Sequence, residues 1–242
     1  MKNLISALSL ALVLFNMSQI FSQDSTSVNN VDPKVVLEKY ITAIGGRDVF
    51  SKIEDRTTIM RGTGMGQSIT FVVKQKAPNK LRQEVKAGGM NQVVIFDGEK
   101  AVMTVMDKKV EIKDKELDAL KVEASLGFML DPEKYGAKLS YEGIEKIKDK
   151  DAYKIKMVLP AGMNWISFYD VESGLKVEDQ REIESPKGTY IQTIDYDGYK
   201  DVDGMKYPFK IVQTFGGQSV DVTVTSIKVN KGLSDDIFVI AE

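Results

Sequence analysis

The fold hinges on Val93-Val94-Ile95-Phe96-Asp97-Gly98-Glu99-Lys100-Ala101-Val102-Met103-Thr104-Val105-Met106. Asp97-Gly98 is a two-residue hairpin turn, the pairing that tolerates the backbone such tight turns require. The runs on either side of it are apolar on both faces, apart from Thr104. A half-exposed antiparallel strand would alternate apolar and polar residues. Both strands must therefore be covered on two sides. The cover comes next in the chain: Lys113 to Leu130 carries Leu117, Leu120, Ala124, Phe128 and Met129 at helical spacing, and Asp131-Pro132 stops it.

Working outward, the segment before this hairpin also reads as strands. Ile69, Phe71 and Val73 alternate with polar positions, Pro78-Asn79 is a turn, and Lys80 to Lys86 is a strand that turns at Gly88-Gly89. After the helix, Tyr153, Ile155, Met157 and Leu159 alternate. Trp165 to Asp170 and Leu175 to Ile183 form a hairpin about Glu172-Ser173-Gly174. Tyr190 to Tyr199 follows, then Met205, Tyr207, Phe209 and Ile211 at period two, with a turn at Gly216-Gly217. Val220, Val222 and Val224 share one phase and Ile227 and Val229 the other, which predicts a β-bulge near Thr225-Ser226. The tail from Leu233 to Phe238 reads as a docked turn. Ahead of all the strands, Asp32 caps a helix with Pro33 at its first position and Val35, Val36, Tyr40, Ala43 and Ile44 at helical spacing, ended by Gly45-Gly46. A second short helix runs from Arg47 to Ile53.

The expected class is mainly β (α+β). About 11 strands joined by short turns give antiparallel neighbours, and so long a sheet must curl. The expected product is an unclosed barrel with a helical lid and an apolar interior.

Residues 1–22 read as a secretory signal peptide. Lys2 precedes an apolar run from Leu4 to Phe15, too short for the ~20 residues of a membrane span, and Ser22 is a small residue at the cut. Residues 23–31 read as a flexible leader and 32–242 as a single domain. The chain has no cysteine and no histidine. There are then no disulfides, no cysteine to carry a processing lipid, no Ser-His-Asp arrangement and no ordinary zinc site. The expected product is an exported, soluble protein and a monomer. A net charge of −2 with interspersed signs lacks the basic patch that nucleic acid requires. The lysines at 108, 109, 113 and 115 are diluted by acids and read as a solvated face.

Other candidate chemistry has simpler readings. Asp195 to Gly204 invites calcium, but position five from Asp195 is Tyr199 and position twelve is Lys206, so the loop spacing fails. An Asp- and Gly-rich turn explains the same letters. Glu182 and Glu184 could serve glycosidase chemistry but lie in the charged stretch from Lys176 to Glu184, which reads as a solvated outer face. Gly62-Thr63-Gly64-Met65-Gly66 lacks the Lys-Ser/Thr ending of a phosphate loop and reads as a hairpin turn or bulge. No catalytic residue, metal or cofactor is expected.

Several stretches together resemble a known family. They are Lys39-Tyr40-Ile41-Thr42-Ala43-Ile44-Gly45-Gly46, Pro78-Asn79-Lys80-Leu81-Arg82 with Phe96-Asp97-Gly98, and Phe168-Tyr169-Asp170 with Ser173-Gly174-Leu175. Tyr199-Lys200-Asp201-Val202-Asp203-Gly204-Met205-Lys206-Tyr207-Pro208-Phe209 and the ending Val229 to Phe238 complete the set. The chain resembles the outer-membrane lipoprotein-sorting (LolA/LolB-like) proteins, especially those of Bacteroidetes-type bacteria. That resemblance implies an unclosed barrel with a helical lid, whose cavity holds lipoprotein acyl chains in transit across the periplasm.

The leading expectation is a carrier or binding protein for lipid or lipoprotein acyl chains, in transient contact with a membrane-bound donor or acceptor. Phe96, Met103, Val105, Leu120, Phe128, Met129 and Trp165 are the candidate lining, drawn from the two-faced strands, the lid and the lone tryptophan. The alternative is a non-catalytic accessory module of the outer membrane or of an envelope protease, with a filled core.

Overall fold

The computed structural model describes residues 31–64, 66–185 and 188–241. The expected signal peptide and all of the expected leader except Val31 lie outside the described residues.

Helix α1 (Pro33–Ala43) begins where Asp32 accepts a hydrogen bond from the Lys34 amide at 2.9 Å. It buries Val36, Leu37 and Ile41. Gly45 ends it with φ +135°, and a Cβ there would meet the Gly204 carbonyl oxygen at 2.3 Å. Only glycine fits that approach. A single turn, α2 (Arg47–Phe50), follows. It is shorter than the helix to Ile53 expected from the sequence.

Six strands then form a meander: β1 (Asp55–Gly64), β2 (Gln67–Lys76), β3 (Lys80–Ala87), β4 (Met90–Phe96), β5 (Ala101–Val105) and β6 (Lys108–Ile112). The chain crosses through α3 (Asp114–Ala124) and two 3-10 turns, Phe128–Leu130 and Pro132–Tyr135. A second run follows: β7 (Lys138–Ile147), β8 (Lys150–Val158), β9 (Asn164–Asp170), β10 (Lys176–Ser185) and β11 (Gly188–Asp197). A small ribbon of β12 (Lys200–Val202) and β13 (Met205–Tyr207) precedes β14 (Lys210–Phe215) and β15 (Gln218–Val229).

Thirteen of these strands make one antiparallel sheet in the order β6-β5-β4-β3-β2-β1-β15-β14-β11-β10-β9-β8-β7. The edge strands β6 and β7 do not pair, so the sheet is an unclosed barrel, and α3 spans the connection between them. The strand count exceeds the expected 11 because β6, β7 and β12 carry no strand signal in the sequence, and because the run from Met205 to Ile211, expected as one strand, divides into β13 and β14. β6 is charged and almost wholly exposed, and β7 alternates exposed and half-buried positions. Edge strands are commonly charged, which hides them from a search for apolar runs. The expected helix from Lys113 to Leu130 is also divided. It stops at Ala124, where Ser125 leaves helical geometry and its Oγ donates to the Lys121 carbonyl at 2.7 Å.

The bulge expected near Thr225 is present. Ile59 pairs with Ser226 and Met60 with Val224, so Thr225 is the extra residue. It returns Ile227 and Val229 to the inner face. The β15 exit is tied by Asp55, whose carboxylate accepts from the backbone amides of Lys231, Gly232 and Leu233 at 3.0, 2.8 and 3.2 Å. Asp55→Ala should lower stability by about 2 kcal/mol, since it removes a buried carboxylate that three backbone amides share. A urea unfolding curve checks this through a fall in midpoint. The tail turn Asp235–Phe238 docks as expected, with Phe238 buried. Among the described residues no helix is long and apolar enough to cross a membrane.

Candidate functional site

Directly paired residues of an antiparallel sheet point to the same side. Tracing the pairs around the sheet therefore defines its inner face, the one that α1 and α3 cover. Three successive rows show how far the cover reaches. The first is Arg56-Gln75-Leu81-Phe96-Ala101. Leu81, Phe96 and Ala101 in it are sealed under Leu120 and Ala124 of α3. The second is Thr58-Val73-Gln83-Val94-Met103. Val73 and Met103 are only partly buried there, packed at the margin of that cluster. The third is Met60-Phe71-Val85-Gln92-Val105. All five residues are half-buried, and its four apolar members join none of the three packed clusters. The inner face thus changes from a sealed core to uncovered apolar surface within two rows.

The opposite flank is sealed by other elements. Met157, Ile155 and Tyr169 pack with Val36 and Leu37 of α1 and with Phe128, and Met129 and Trp165 lie at the edge of this cluster. Phe128 meets Trp165 edge-on at 6.3 Å between ring centroids. The seven candidate residues therefore fall into two groups. Phe96, Met103 and Leu120 come together in one cluster, Phe128, Met129 and Trp165 in another, and Val105 stands in the uncovered row. Phe96, Leu120 and Phe128 are buried, whereas Met103, Val105, Met129 and Trp165 keep some exposure.

Sequence reasoning missed a polar belt that crosses the interior beneath the lid. Arg56 of β1 donates to Gln75 Oε1 at 3.2 and 2.5 Å, and lies 5.5 Å from the centre of the Tyr207 ring. Gln75 Nε2 donates to the Glu123 carbonyl of α3 at 2.7 Å. The Glu123 carboxylate accepts from Arg181 of β10 at 2.9 Å. The Arg181 guanidinium stacks 4.2 Å over Trp165. One residue of the lid helix is thereby held to both flanks of the sheet. The charged stretch from Lys176 to Glu184 contained the signal. Its solvated-face reading suits Glu182, which is exposed. The alternate phase, Asp179 and Arg181, points inward.

Asp179 is 2% exposed. It accepts from Ser167 Oγ at 2.6 Å, Lys176 Nζ at 2.7 Å and the Tyr196 hydroxyl at 2.7 Å. Burial pushes its pKa up, but the charges of Lys176 and Arg181 and the donated hydrogen bonds outweigh that and hold it below the usual carboxylate value. Burial first, and then the Asp179 charge, raise the pKa of Tyr40 and Tyr169. Tyr196 and Tyr199, likewise buried, are raised too. The cluster is a saturated carboxylate among protonated phenols. It organises the wall and offers no base.

The aspartates of the 195–203 segment serve separate local roles. Asp195 pairs with Lys148 at 2.7 Å, Asp197 accepts from the Gly198 amide at 2.6 Å, and Asp201 accepts from the Gly204 amide at 3.1 Å. Gly62 and Gly64 lie within β1 and pair with Ile69 and Gln67, so the turn expected over Gly62 to Gly66 begins only after Gly64. A Cβ at Gly62 would meet the Asp221 carbonyl oxygen at 2.8 Å, and one at Gly64 would meet the Ile69 side chain at 3.0 Å. Met65 of that turn lies outside the described residues. Two open depressions of about 340 Å³ each lie elsewhere, one by Ile53 and Asn230, the other between α3 and the Pro78 turn.

No known sequence family and no characterised protein matches the chain by sequence. Solved structures do match by shape. A LolA superfamily protein from Nitrosomonas europaea aligns over 87% of this chain and 98% of its own, with 14% identity and a TM-score of 0.59. A DUF1329 family protein from Desulfovibrio piger aligns over 86% and 98%, with 13% identity and a TM-score of 0.55. An outer membrane lipoprotein-sorting protein domain from Vibrio parahaemolyticus aligns over 84% and 94%, with 11% identity and a TM-score of 0.52. Nearly the whole of each neighbour is matched, and so the chain has the LolA-like fold.

Proposed function

We propose that this protein is an exported carrier that shelters the acyl chains of a lipid or lipoprotein on the uncovered part of its inner face. One observation carries the reading. Met60, Phe71, Val85 and Val105 face the interior, keep some exposure and pack on none of the core clusters. Apolar groups left at a water boundary inside a fold gain from an apolar guest, at about 0.8 kcal/mol for each CH2 buried. No catalytic group is needed for that. The description of the Vibrio neighbour as an outer membrane lipoprotein-sorting protein domain agrees with it. Export through residues 1–22, a single domain from residue 32, monomeric action in the periplasm and transient contact with a membrane-bound donor or acceptor belong to the same proposal. Met103, Met129 and Trp165, at the margins of the sealed clusters, would complete the lining once the lid lifts. Phe96, Leu120 and Phe128 would form its floor.

The sealing of those three residues favours a second reading, an accessory module with a filled core. Purifying the mature protein from its native envelope without denaturant and extracting it with organic solvent separates the two. Mass spectrometry should find bound lipid. An empty extract, together with no uptake of a fluorescent fatty acid, would sink the carrier reading. A stoichiometric protein partner in the same preparation would establish the second.

A further inference from the structure

The carrier reading leaves open what kind of lipid is held, and the polar belt bears on that. Three cations of the belt and its neighbouring wall, Arg56, Lys176 and Arg181, meet two carboxylates, Asp179 and Glu123. Lys176 is matched by Asp179 at 2.7 Å and Arg181 by Glu123 at 2.9 Å. Arg56 is matched by neither. Its partners are the neutral Gln75 and the ring of Tyr207, and among the described residues no carboxylate lies within 4 Å of it. A surplus positive charge is therefore held inside the fold, on the row next to the apolar surface of Val73, Met103 and Phe71.

Other groups in the same interior lack partners. Arg181 Nε is buried without a hydrogen-bond acceptor, although its neighbour Nη1 is used by Glu123. Gln92 Oε1, in the uncovered row itself, is buried without a donor, and as an acceptor it suits the acyl part no worse than an anion, so the anionic group belongs at the arginines. A partly buried guanidinium with unfilled donors is well suited to a carboxylate or phosphate, which it meets through short, charge-assisted bonds. A purely hydrocarbon guest would leave the guanidinium donor of Arg181 unsatisfied, and unsatisfied buried polar atoms oppose binding.

We propose that the inner face selects an amphiphile with an anionic group. The acyl part lies along Met60, Phe71, Val85 and Val105, and the carboxylate or phosphate rests against the belt at Arg56 and Arg181. This proposal rests on the carrier reading and narrows it. Cis-parinaric acid and its methyl ester test both, since they share one fluorescent chain and differ only in charge. At neutral pH the wild type should bind the acid about tenfold more tightly than the ester, the effect of one added charge-assisted contact. Arg56→Gln and Arg181→Gln should each bring the ratio of the two affinities toward one. Glu123→Gln should raise the ratio, because it frees Arg181 from its competing carboxylate. The ratio is taken within each variant, so a general loss of folding does not imitate the result. Equal binding of acid and ester by the wild type would overturn the anionic preference and leave the carrier reading standing. A shift of the same sign in Arg181→Gln and Glu123→Gln would also overturn it. Binding of neither probe by the wild type would overturn the carrier reading as well.

Discussion

Asp179→Ala is expected to lose about 3–5 kcal/mol of stability, the cost of breaking a buried ion pair from one side. That is a large part of the ~5–15 kcal/mol that holds a typical domain folded. The removed carboxylate satisfies Ser167, Lys176 and Tyr196 together. Their donors would be left in the wall, with the Lys176 ammonium only 18% exposed. Urea unfolding followed by tryptophan fluorescence checks this, because Trp165 pairs with Arg181 two positions along the same strand. An unchanged midpoint would contradict the role given to Asp179. The milder Asp179→Asn variant adds a pH test. The folded-state pKa of Asp179 lies below its unfolded value of 3.8. Its contribution is therefore present in full above about 3.8 and drains away as pH falls through the lower folded value. The wild type should lose stability across that acid range more steeply than Asp179→Asn.

Phe71→Asp is expected to reduce fatty-acid affinity by about a hundredfold while leaving the unfolding midpoint within about 1 kcal/mol of wild type. Phe71 sits in the middle of the uncovered row, between Met60 and Val85, and packs on no core cluster. A carboxylate there keeps its water in the free protein. On binding, it would have to lose that water against an acyl chain, and desolvating an unpaired charge is expensive. Ile191→Asp supplies the control. Ile191 is 59% exposed and pairs with the outward Glu182, so it lies on the other face. Its variant should bind as the wild type does. If Phe71→Asp binds normally, the guest lies elsewhere.

Much of this architecture was legible because packing leaves a periodic trace. The phase slip between Val224 and Ile227 announced the bulge at Thr225, and Asp97-Gly98 announced the hairpin that α3 covers. Asp32-Pro33 marked the first helix to the residue. β6 and β7 were not legible, because an edge strand buries too little to show a pattern, and Lys108, Lys109 and Glu111 look like any solvated run. The seven lining candidates were chosen by residue type, which locates the interior but says nothing of how much the lid covers. Phe96 and Val105 stand nine residues apart on neighbouring strands, yet one is sealed and the other half-open. The belt was the least legible feature. Arg181 sits among Glu178, Asp179, Glu182 and Glu184, and only the pairing of Arg181 with Trp165 shows which of these turn inward. Glu123 and Arg56 are far from it in sequence and meet it only through folding.

The pairing of β1 with β15 also bears on how the molecule comes into being. Arg56 lies opposite Val229, so the first strand made finds one of its two neighbours only when the last has arrived. Contacts so distant along the chain form slowly, because a long loop must close before they are rewarded. Until then the first meander, from Asp55 to Ile112, presents β1 as a raw border able to recruit a stranger. Synthesis makes that border first, and the final dozen residues of sheet, Gln218–Val229, act as its clasp.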